Sequence, residues 1–104
     1  MSGPYRILVV KSAEQGIIKA SDWWVANRPK APGALAEELD RAFQLLSSQP
    51  LIGAQARNIK LTGVRRLHLS RVHYHLYYRV SAEPPTVEVL ALWHTSRGAS
   101  PDLS

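Results

Sequence analysis

Cysteine is absent from all 104 residues. That excludes a disulfide framework and any thiolate metal site, and it suits a reducing compartment. Long apolar runs are missing as well. Val89–Trp93 is the longest in the strand-like regions, far short of the roughly 20 residues of a membrane-spanning helix. Near the N-terminus only Ile7–Val10 are consecutively apolar, too few for a signal-peptide core. There are no internal repeats or low-complexity tracts, no glycine-rich phosphate loop, and no Ser/His/Asp order of a nucleophilic triad. The expectation is one soluble cytoplasmic domain spanning residues 1–104, with no membrane contact and no cofactor.

Acidic residues are sparse in the second half. Residues 55–104 carry seven cations (Arg57, Lys60, Arg65, Arg66, Arg71, Arg79, Arg97) against Glu83, Glu88 and Asp102, and all four histidines. The first half is nearly balanced, and the whole chain has a formal charge of +5. A basic, histidine-bearing half suits an acidic protein partner or a nucleic acid, although a solvated basic surface that only keeps the chain soluble has the same composition.

The pattern along the chain predicts a strand over 5–10, then a helix. Ser12 and Gln15 have the spacing of a capping box, and Ala13, Ile17, Ala20, Trp24 and Asn27 share one helical face. Trp23, about 100° away from Trp24 on the helix, should be partly exposed. The run "NRPKAPG" breaks this helix. In the second helix Leu35, Leu39, Ala42 and Leu46 form an apolar stripe that Ala36 and Phe43 broaden, and it ends near Ser48. Residues 50–63 show no period and read as a long basic loop.

Three strand-like runs follow. "VRRLHLS" (64–70) and "VHYHLYYRV" (72–80) read as a tight hairpin turning through Ser70 and Arg71. "VEVLALW" (87–93) is apolar on both faces, as in a central or doubly covered strand. In 72–80, Val72, Tyr74, Leu76, Tyr78 and Val80 form one row and His73, His75, Tyr77 and Arg79 the other. The fold expected is α+β, in the order β-α-α-β-β-β. The two-helix hairpin packs on one face of a mainly antiparallel sheet, the histidine row lies on an open far face, and a flexible tail begins near residue 95.

Several signatures, taken in order, resemble the RelE/ParE superfamily of bacterial toxins, the toxic halves of type II toxin–antitoxin modules. They are the leucine-bearing second helix (Leu39, Leu46), Pro50 and Gly53 as P-x-x-G, Gly63 and Arg65 as G-x-R, Tyr78 and Val80 as Y-x-V, and a final apolar strand running into His94 and Arg97. The resemblance covers nearly the whole chain. It implies a small antitoxin as partner, with a hetero-oligomeric complex, and one of two targets. ParE-like members poison DNA gyrase, whereas RelE-like members cut mRNA on the ribosome. The nuclease branch commonly brings a C-terminal tyrosine, and related members a glutamate before the second strand. Here no tyrosine follows Tyr78 and residues 50–62 hold no acid, which favours the gyrase branch.

On that reading the target-binding residues are Lys60, Arg66, His73, His75, Tyr77, Arg79, His94 and Arg97, and Trp23, Arg66 and Arg79 meet the antitoxin. On the nuclease reading His75, Arg79 and His94 would carry proton transfer and phosphate charge, with Lys60 and Arg66 as clamps. Outward polar residues are also what any strand over a helical layer displays, so His73 and His75 alone do not establish a site. Arg65, on the inward side, suits a structural role bonding loop carbonyls as well as it suits a contact. A metal is not expected, since no acid or cysteine accompanies His73 and His75.

Overall fold

The second helix anchors the fold. Leu35, Leu39, Ala42 and Leu46 recur at helical spacing and are all buried, Leu46 completely. The computed structural model describes residues 4–103; Met1–Gly3 and Ser104 lie outside the described residues. Its elements are β1 (Arg6–Val9), α1 (Lys11–Asn27), α2 (Ala34–Ser48), β2 (Ala54–Gln55), β3 (Val64–Leu69), β4 (Tyr74–Ala82) and β5 (Pro85–His94). They form a five-stranded sheet of order β1-β5-β4-β3-β2, in which β1 runs parallel to β5 and every other pair is antiparallel.

The α+β arrangement matches the sequence reading, with both helices on one face. Ala13 and Trp24 from α1 and the α2 stripe pack with Val72, Tyr74, Leu76, Tyr78, Val87 and Val89. Trp24 also donates its indole N–H to the Ala31 carbonyl at 2.8 Å, pinning the helix–helix loop. Trp23 next to it stays 46% exposed, with the Arg28 guanidinium 4.9 Å above its ring. Ser47 closes the layer by donating its hydroxyl to the Tyr5 carbonyl.

Four local expectations change. The capping box does not form: α1 begins at Lys11 with Val10 as its cap residue and no side-chain cap, so Ser12 lies inside the first turn. Val10 is held instead by donating its N–H to the Val89 carbonyl, and strand passes directly into helix. Residues 54–55, read as loop, pair with Arg65 and Arg66 as a fifth strand. Two residues show no period, so only the partner strand reveals them.

The third change is the β3–β4 hairpin. Its turn takes four residues, Ser70–His73, and His73 has φ 62°. Val72 is completely buried inside that turn, and the Val72 and His73 N–H groups both bond the Leu69 carbonyl. Burying Val72 outweighs the two-residue turn, and the longer turn moves the cross-strand partner of His68 from His73 to His75.

The fourth concerns the far face of the sheet, which is not fully open. Val64, Tyr77 and Leu90 form a second small core, covered by Ala56, Ile59 and Leu61 from the loop and by Leu103 from the tail. The Leu61 N–H bonds the Leu103 carbonyl, and the Trp93 indole donates to the Ala99 carbonyl at 2.7 Å, so the tail is folded back on the sheet. A bulge in β5 makes this possible. Tyr77 pairs with Ala91 but Tyr78 with Val89, leaving Leu90 unpaired. Val87, Val89 and Leu92 therefore face the helices while Leu90, Ala91 and Trp93 face the second core, in keeping with the doubly apolar pattern of 87–93.

Candidate target-binding face

Three of the motif residues form an internal lock. The Gly53 N–H donates to the Tyr78 hydroxyl at 2.9 Å, in a buried position. Arg65 donates to the carbonyls of Gly53 at 2.7 Å and Leu51 at 3.2 Å. Burial pushes the Tyr78 hydroxyl above its ordinary pKa, against the Gly53 hydrogen bond and nearby Arg65, so it stays a neutral phenol. Arg65 is thus the structural arginine that its inward position allowed. Gly63 supplies the positive φ, 78°, that leads the loop into β3.

The histidine row itself is reorganised. His75 and Arg79 point to the far face as expected, but His73 sits in the hairpin turn and is not part of the row. Tyr77 is only 2% exposed beneath the loop and tail, so it cannot touch a partner while they are in place. Arg79 is held by Glu88, its Nη2 and Nε lying 2.7 and 3.2 Å from one carboxylate oxygen. Half-exposed, that pair stabilises the fold little, but it takes up donors a target would need. His94 lies past the bulge on the helix side, its ring 5.0 Å from that of Tyr74 and its Nδ1 engaged by Ser96. Lys60 is exposed in the covering loop.

What the fold does assemble is a different group. His68 on β3 stands opposite His75 on β4, and His75 stands opposite Trp93 on β5. The two histidine rings lie 5.0 Å apart, and Arg97 stacks over Trp93 at 4.1 Å. Arg66 is two residues along β3 from His68 on the same face. Beside it a groove of about 540 Å³ is lined by Gln55, Arg57, Asn58, Arg66 and Ser100. His68 and Trp93 are the members that sequence reading missed. The signal for His68 was its place in the outward row Arg66–His68–Ser70, but a two-residue turn would have set it opposite His73.

Burial, then Arg66, then His68 hold the His75 imidazolium below the ordinary value of 6.5. The unfolded chain therefore binds that proton first as pH falls. The contribution of His75 to stability is complete above pH 6.5 and is lost as pH drops through the lower, folded value. Urea midpoints measured from about pH 7.5 down to pH 5 should fall, and His75→Gln should flatten that part of the profile. An unchanged slope in the variant would assign the effect to other groups.

Among the described residues no helix is long and apolar enough to cross a membrane. A family model for the ParE toxin of the type II toxin–antitoxin system parDE matches residues 7–98, nearly the whole chain. The chain belongs to the ParE toxin family. Two solved structures extend the likeness. The toxin–antitoxin complex RelBE2 from Mycobacterium tuberculosis contains a chain 29% identical, superposing with a TM-score of 0.63 over 88% of this toxin and 98% of that chain. The chromosomal ParDE toxin–antitoxin system of P. aeruginosa gives a TM-score of 0.70 at 17% identity, over 88% and 97% respectively, a likeness of fold alone. Among curated proteins no sequence matches significantly. In this ParE-family toxin the motif residues Gly53, Arg65 and Tyr78 keep the loop before β3 in place.

Proposed function

We propose that this toxin inhibits DNA gyrase by binding it and is neutralised by a cognate antitoxin. The observation that carries the reading is the dispersal of the nuclease set. His75 and Arg79 are on the far face of the sheet, His94 is on the helix side, and Arg79 is tied to Glu88. Three groups split between two faces do not converge on one phosphate. Binding needs no such convergence. Lys60, Arg66, His75 and Arg97 present cations and an imidazole around a tail-covered sheet, while His94 stands on the opposite, helix side.

The antitoxin contacts fall on two sides, Trp23 on α1 and Arg66 and Arg79 on the far face, so one segment meeting all three has to wrap the toxin. Exposed Ile18 and Val25, two turns apart on α1, form a separate apolar pair on the other flank of the helix from Trp23. The net charge of +5 suits an acidic segment.

The second reading, a ribosome-dependent endoribonuclease, is favoured by one observation. His68, His75 and Arg66 together set two imidazoles and a cation on one surface. Induction in a bacterial host lacking any antitoxin, with DNA and protein synthesis followed separately by label incorporation, distinguishes the two. The gyrase reading expects DNA synthesis to stop first, with filamentation and a DNA-damage response. Translation stopping first, with mRNA cut at codon positions, would overturn it.

A further inference from the structure

The geometry points to a metal site on this toxin, made by His68 and His75 and open to a divalent d-block ion of the Zn²⁺, Ni²⁺ or Cu²⁺ class. The two residues are directly paired across β3 and β4, so the backbone ladder fixes their spacing without any loop. Their rings lie 5.0 Å apart with planes at 64°. Two imidazoles sharing one ion at a metal–nitrogen distance of about 2.0–2.1 Å and a tetrahedral angle place their centroids roughly 5 Å apart. The centroid spacing matches that of two imidazoles on one ion, and from their edge-on contact the rings need only side-chain rotation, with the strands left in place, to aim a nitrogen each at it. His68 is exposed and His75 half-buried, which leaves a path for an ion from solvent.

Chemistry narrows the ion. Imidazole nitrogens suit zinc, copper and nickel and are poor ligands for magnesium or calcium. Among the described residues no three histidine, cysteine or acidic side chains converge, so water must complete the coordination and the ion is exchangeable. Arg66 opposes binding, because its charge acts on the same imidazole that would hold the cation. The other two histidines differ. His73 is in the turn at φ 62°, and His94 already has Nδ1 engaged by Ser96.

Isothermal titration of ZnCl₂ into the tag-free full-length protein near neutral pH is the direct test. One saturable site is expected, and His68→Ala or His75→Ala should each weaken it about tenfold or more. His94→Ala should leave it unchanged, while Arg66→Gln should tighten it several-fold by removing the repulsion. Zinc should also raise the Tm of the wild type, and the double variant His68→Ala/His75→Ala should show no such rise. If a variant fails to fold, histidine ring resonances of the wild type decide instead: those of His68 and His75 should move together on adding Zn²⁺, with those of His73 and His94 still. Binding that survives the double variant, or ring shifts centred on His94, would overturn the proposal.

Discussion

Gly53→Ala is expected to be among the most damaging single changes in this toxin. A Cβ there would lie 2.6 Å from the Tyr78 hydroxyl, 2.9 Å from its ring and 2.9 Å from the Arg66 carbonyl. The tyrosine is completely buried and the carbonyl belongs to the ladder, so neither can move freely. Overpacking of this kind costs about 1–3 kcal/mol. Shifting the loop to relieve it would instead break the buried Gly53–Tyr78 hydrogen bond, again about 1–3 kcal/mol. By either route a loss of about 1–3 kcal/mol follows, roughly a 5–20 °C drop in Tm for a domain of this size. Tyr78→Phe removes the nearest atom of the clash, so the double variant should lose less than the sum of the two single ones in urea denaturation. Strict additivity would show that Gly53 and Tyr78 do not act as one lock.

The second large effect is expected from Leu76→Ala. Leu76 has no exposed surface and sits at mid-sheet on β4, with Leu67 opposite on β3, Leu92 opposite on β5 and the helices above. Both flanking strands are held by their own ladders, so the hole cannot collapse. The change should cost about 2–5 kcal/mol. Leu51→Ala, at a residue 62% exposed, should stay within about 0.5 kcal/mol of the wild type. Unfolding midpoints in urea compare them directly, and a Leu76→Ala cost below about 1 kcal/mol would mean that the β4 core relaxes far more than its packing implies.

The two stability variants also bear on function. Both sites lie under the far face without being part of its exposed surface, so reduced toxicity in either should track the folded fraction. Residues proposed to contact the target, such as Arg66, should behave differently, with toxicity changing while the unfolding midpoint stays in place.

Much of this architecture was legible in the residues themselves. The α2 stripe, the inward row from Val72 to Val80 and the doubly apolar β5 are periodic signals, and periodicity reports which face is buried before any partner is known. Trp24 inward and Trp23 outward follow from helical geometry alone. The order of elements, joined to motifs such as P-x-x-G and G-x-R, was enough to suggest the toxin family that the family model then matched.

Other features depended on distant contacts. Strand β2 is two residues long and exists because Arg65 and Tyr78 clamp the loop beside it. The hairpin register was set by burying Val72 in the turn, and that choice placed His68 opposite His75. The tail, polar and rich in small residues, looked free, yet Trp93 and Leu61 hold it over Tyr77 and remove that side chain from the surface. His94 passed to the opposite face because one bulge at Leu90 reversed the alternation after it. Sequence by itself determined which segments become helix or strand and which rows are apolar, since those depend on neighbours within a few residues. Tertiary structure alone decided register, the cover on the far face and the company each histidine keeps, because those depend on side chains that meet only once the sheet has closed.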